Sequence, residues 1–146
     1  MKKLFILGLV LLMVVVFGTA ALAKAEKVDL ILCNYYTPGV ETPSGGFVIF
    51  NNSSGTEHNL ELTVSLKGVK ADTEYDIYLG YANWTVVELV GTVKTNASGN
   101  ANLHINVLLE SGDLLLNIDV TLKGSGADVF ETPGIHTGGG TWMTFK

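Results

Sequence analysis

The residues best suited to metal binding or nucleophilic chemistry are His58, His104, His136 and the single cysteine, Cys33. Metal sites set such ligands at short, repeated spacings, H-x-x-x-H or C-x-x-C. Here the four are dispersed, so no metal and no cofactor is expected. A catalytic thiol wants a histidine partner and electropositive surroundings. Cys33 instead closes the apolar run Val28-Asp29-Leu30-Ile31-Leu32-Cys33, which reads as a buried strand position. The acids Asp72, Glu74 and Asp76 alternate beside Tyr75. A glycosidase would need a second acid facing them across a cleft; alone they read as a wet strand face. Asn96 to Asn102 has the look of a calcium loop but holds no carboxylate, and calcium sites need several. It reads as a hairpin turn with Gly99 in the left-handed region. The chain is therefore expected not to be an enzyme. A small glycoside hydrolase or metal-dependent oxidoreductase is the reading with least support.

Binding chemistry is better represented. Tyr78, Tyr81 and Trp84 lie close together in the chain. Tyr78 should point outward if Tyr75 points in, and Tyr81 and Trp84 flank a turn. Rings so placed stack on sugars or seat at protein interfaces. His104 sits between Asn102 and Asn106 on one strand face, and Asn117, Asp119 and Thr121 make a similar face on the next strand. If the two strands pair as a hairpin, His104 and Asp119 share a polar surface able to bind a ligand. Four N-x-S/T sequons begin at Asn51, Asn52, Asn83 and Asn96, all in or beside expected turns. In a secreted chain they are glycosylation candidates.

The elements that would position these groups are strands. Leu60, Leu62, Val64 and Leu66 alternate with Glu61, Thr63, Ser65 and Lys67, the period of a half-buried strand. Tyr75, Ile77 and Leu79 repeat the pattern, as do Leu103, Ile105 and Val107, and the even positions from Leu114 to Leu122. Val28–Tyr36, Phe47–Asn51, Trp84–Lys94 and Thr141–Phe145 are expected strands with less regular alternation, and 127–130 is either a short strand or a turn. Gly, Asn, Asp and Ser clusters separate the runs, and no amphipathic helix is found. This spacing predicts an all-β fold, an antiparallel β-sandwich that is immunoglobulin-like in the broad sense. Thr37 to Phe50 and Thr132 to Phe145 share a Thr-Pro-Gly turn, a glycine-rich loop and an aromatic-led strand. One aromatic of each pair, Phe47 or Phe50 and Trp142 or Phe145, should be core and the other exposed or covered.

The segment Leu66-Lys67-Gly68-Val69-Lys70-Ala71-Asp72-Thr73-Glu74-Tyr75-Asp76-Ile77-Tyr78-Leu79 resembles the E–F corner of fibronectin type III and related immunoglobulin-like domains, L-x-G-L-x-P-x-T-x-Y-x-V-x-V, with Ala71 where the pattern has Pro. The resemblance implies a tyrosine corner: the ring of Tyr75 closing the core edge, and its hydroxyl hydrogen-bonded to backbone upstream.

At the N-terminus, Lys2 and Lys3 precede an apolar run from Leu4 to Phe17, and Ala21-Leu22-Ala23 supplies an A-x-A cleavage pattern. Residues 1–23 read as a secretory signal peptide and 24–146 as a single domain. A membrane association is expected only if that segment stays uncleaved. Without Lys2 and Lys3, seven lysines face fourteen acids, a net charge of −7, and there is no arginine. Nucleic-acid binding needs a basic face and commonly arginine, so it is not expected. The expected function is non-enzymatic: a secreted or cell-surface structural or adhesive domain. Its partners would be other copies of itself or cell-surface proteins and glycans. Assembly is expected through edge strands, with Tyr35 and Tyr36 on the first and Trp142 and Phe145 on the last. A carbohydrate-binding module using Tyr78, Tyr81 and Trp84 is the alternative.

Overall fold

The computed structural model describes residues 24–33, 44–52, 58–81, 86–110, 112–133 and 141–145. Nine strands fill almost all of this: β1 (Lys24–Leu32), β2 (Ser44–Asn52), β3 (Asn59–Leu66), β4 (Glu74–Tyr81), β5 (Val86–Lys94), β6 (Ala101–Leu108), β7 (Gly112–Leu122), β8 (Ala127–Glu131) and β9 (Thr141–Phe145). No helix occurs among the described residues. The all-β antiparallel class expected from alternation is the one adopted, and the segment near 127–130 is a strand.

Eight strands form one continuous antiparallel sheet in the order β5-β4-β7-β8-β1-β2-β3-β6, and β9 pairs the first half of β7. The two end strands, β5 and β6, are consecutive in the chain and approach each other, so the sheet curls nearly into a barrel. The core lies inside the curl. Leu60, Leu62, Val64 and Leu66 of β3 are buried, as are Tyr75, Ile77 and Leu79 of β4 and Leu116, Ile118 and Val120 of β7. These are the residues that a period of two assigns to one face. Of the β2 aromatics, Phe50 is fully buried, while Phe47 faces outward with the Lys27 ammonium 4.3 Å from its ring centroid. That is the division expected for two aromatics three residues apart.

The β3–β4 connection is sewn to the β5–β6 turn. Val69 N–H donates to the Gly99 carbonyl (3.1 Å), Gly68 N–H to Asn100 Oδ1 (3.0 Å), and Thr95 Oγ1 to the Lys70 carbonyl (2.7 Å). Gly99 has φ of +72°, and a Cβ there would stand 2.0 Å from the Val69 carbonyl oxygen. Glycine is what allows the two backbones to touch. Beside them Tyr75 fills the core edge, and the Lys70 backbone hydrogen-bonds its hydroxyl. These contacts close the barrel at the turn end of the β5–β6 pair.

Candidate interaction face on strands four, five and seven

The other end of the β5–β6 pair is different. No hydrogen-bonded ladder joins β5 to β6 among the described residues. Near the turn the two are held by packing: a Cβ on Gly91 would lie 2.8 Å from Leu103 Cδ2. Farther along, both become exposed. Leu108 at the end of β6 is 79% accessible, and Val86, Val87 and Leu89 of β5 are 39%, 52% and 51%.

A β-bulge explains why β5 presents apolar side chains to water. The β4–β5 register pairs Ile77 with Gly91 but Tyr78 with Leu89, leaving Val90 as an extra residue. Were Val90 instead paired regularly with Tyr78, Leu89 would oppose Leu79 and Glu88 would oppose Gly80. Val87 and Leu89 would then join the inward face. A shift of one residue flips every following side chain. With the bulge, Leu89 stands beside outward-facing Tyr78 and Val87 beside Gly80, while Glu88 opposes inward-facing Leu79. Glu88 is nonetheless exposed, because the wall is open at this level. Tyr81, half-buried at the same end, has its hydroxyl pKa raised by burial and by Glu88 and Glu110. The opening is therefore rimmed by acids as well as by Val86 and Leu108.

The outer row continues across the sheet. Leu89 neighbours Tyr78, Tyr78 neighbours Asp119 of β7, and Asp119 neighbours Glu131 of β8. Two residues expected to bind ligand, Tyr78 and Asp119, are thus cross-strand partners. Asp119 Oδ1 is buried without a hydrogen-bond partner. Burial first, then the charge and hydrogen bond of Asp128 and the charge of Glu131, push the Asp119 carboxyl up to about 7. Desolvation and like charge both disfavour a carboxylate, so this carboxyl holds its proton well above the acid range. Glu131 is itself buried, and Cys33 Sγ donates to its Oε2 at 3.5 Å. Burial, then Glu131, Asp128 and Asp119, push the Cys33 thiol up to about 11. A thiol so placed stays protonated, the opposite of an activated nucleophile. Among the described residues no three His, Cys, Asp or Glu side chains are grouped to hold a metal ion.

The other expected site residues fall elsewhere. β6 pairs with β3, and β7 pairs with β4, β8 and β9, so the expected hairpin between the His104 and Asp119 strands does not form. His104 lies on the far side of the sheet, hydrogen-bonded to Thr63 Oγ1 at 2.9 Å. The physical reason lies in the link between the two strands. Leu109 after β6 is buried and its N–H donates to the His58 carbonyl, carrying the chain away from β6 instead of turning it back. Trp84, Asn83, Tyr35 and Tyr36 lie outside the described residues. Trp142 and Phe145 belong to β9, opposite Leu115 and Gly112 of β7. β1 pairs with β2 along most of its length and with β8 at Ile31 and Leu32, and β1 and β9 are not paired to each other. Asn51 and Asn52 lie in β2, Asn51 donating its amide to Glu61 of β3 at 2.9 Å, and Asn96 sits in the exposed β5–β6 turn. The signal for the β5 face was present in the irregular alternation of Trp84–Lys94, but the bulge that causes it depends on the register with β4.

No protein-family model, no curated protein and no solved structure matches the chain.

Proposed function

We propose that the chain is a secreted or cell-surface structural subunit that assembles by strand addition at β5, on a curled sheet that is immunoglobulin-like in the broad sense. The observation that carries this reading is β5 itself: one backbone edge without a ladder, and an apolar outer face turned to solvent by the bulge at Val90. An unpaired edge offers its N–H and C=O groups to an incoming strand, and Val87, Leu89 and Tyr78 offer it a surface to bury. β5 bears no proline and one charge between Val86 and Val93, so little protects the edge. The first and last strands also carry edges without a ladder among the described residues, β1 on its β8 side from Lys24 to Leu30 and β9 on the side away from β7, but β5 is the strand whose apolar outer face is exposed. Removing Thr141–Phe145 would strip β7 of a paired strand and perturb the fold along with any assembly.

The test is a pair of substitutions at outward positions, Val87→Lys with Leu89→Lys. Expected is a folded monomer at concentrations where the unaltered chain forms oligomers. Oligomers that persist in the double variant would reject β5 as the acceptor.

The adjacency of Tyr78 and Asp119 supports a second reading, a carbohydrate-binding face, because an aromatic ring beside a carboxyl can stack on a sugar and hydrogen-bond its hydroxyls. Retention on polysaccharide that is lost in Tyr78→Ala, from a chain that stays monomeric, would favour it over assembly.

A further inference from the structure

Four sequons occur in the sequence, and the fold treats their asparagines differently. Asn51 is in β2, paired on both sides to Ala25 and Glu61, with its amide nitrogen donating to Glu61 Oε2. Asn52 follows in the same strand, between Lys24 and Leu60. A paired strand cannot leave the sheet to enter a transferase without breaking its ladder. Asn83 lies outside the described residues. Asn96-Ala97-Ser98 differs in exposure: the Asn96 backbone is hydrogen-bonded to Asp72, Gly99 and Asn100, but all three residues are exposed, on the turn between β5 and β6 and not within a strand.

The geometry at Asn96 also suits modification. Its Oδ1 accepts the Ser98 N–H at 2.9 Å and the Asn100 N–H at 3.0 Å. Both bonds use the oxygen, so the amide nitrogen is not spent on holding the turn. Two donors on Oδ1 draw electron density from the carboxamide and make its N–H protons easier to remove. An attached group would leave Oδ1 in place, so modification and turn are compatible. The turn is at the closed end of the β5–β6 pair, away from Val86 and Leu108.

We infer that Asn96 is an N-glycan acceptor, presented by the fold, and that its glycan covers the closed end of the barrel while leaving the β5 edge bare. In the step, Asn96 Nδ2 attacks the anomeric carbon of a sugar carried on a lipid diphosphate. The C1–N bond forms, the C1–O bond to phosphate breaks, and the transferase's base takes the amide proton. Nothing is oxidised or reduced. The inference rests on the secretion part of the proposed function, not on assembly.

The test expresses the full chain in a glycosylating secretory host, with intact mass and peptide mapping of the product. Expected is a secreted chain lacking its N-terminal segment and carrying a glycan on the peptide that contains Asn96. Ser98→Ala should remove the glycan, and Ser98→Thr should retain it. A processed, secreted chain with bare Asn96 overturns the inference. Retention of the chain inside the cell would count against secretion instead. The purified full chain would then be given a soluble asparagine glycosyltransferase and a nucleotide sugar: a hexose on Asn96 supports the acceptor geometry, and none overturns it.

Discussion

At Asp119 the fold prefers the protonated carboxyl. Its pKa rises from 3.8 to about 7, so the native chain binds a proton that the unfolded chain releases. Stability from this group is full below the unfolded value, declines as pH rises toward about 7, and is flat above. Asp119→Asn should remove that decline and raise the melting temperature at pH 8, read by thermal unfolding across pH; an unchanged slope would show that the carboxyl ionises freely. Cys33 should alkylate slowly at pH 7.5 in the native chain and rapidly after denaturation, since its thiol is held up at about 11; fast native labelling would contradict the part-buried contact with Glu131. Tyr75→Phe removes the hydroxyl bonded to the Lys70 backbone and should cost about 1 kcal/mol in denaturant unfolding. The burial of Tyr75 was legible because it alternates with Ile77 and Leu79 on one strand. The environment of Asp119 was not, because Asp128 and Glu131 reach it only through the β7–β8 register.

Among the strands, alternation identifies a face but not a partner. Leu60 to Leu66 and Tyr75 to Leu79 disclose their buried sides unaided. Which strand lies next to β7 is a long-range choice, and the tight hairpin that chain order suggests with β6 gives way to pairing with β4 and β8. β5 shows the opposite case. Its uneven pattern in the sequence is what a bulge looks like before its partner is known: one extra residue, Val90, and a reversal of faces on either side. Deleting Val90 removes the extra residue and leaves the pairs as they are, with Leu89 opposite Tyr78 and Val87 opposite Gly80, both outward. The expected result is unchanged fluorescence from a dye that reports exposed apolar surface, with the secondary structure unchanged by circular dichroism. A marked fall in dye binding would mean that Val87 and Leu89 had turned inward and that the register with β4 does not set the exposed face.

For the molecule as a whole, the sheet is sealed at one end by hydrogen bonds among Gly68, Val69, Lys70, Thr95, Gly99 and Asn100, and is left open at the other where Val86 and Leu108 stand. Thr-Pro-Gly segments recur near both ends of the chain. The aromatic-led strands that follow them take different neighbours: β2 lies between β1 and β3, and β9 lies on β7. Topology leaves β5 and β6, in the middle of the chain, without a ladder between them. The most direct measurement is light scattering coupled to size exclusion, over a range of concentrations, on the chain from Lys24 and on its Val87→Lys, Leu89→Lys variant. Strand addition at β5 predicts a mass that grows with concentration for the first and a constant monomer for the second. A constant monomer for both, or equal growth for both, would contradict it.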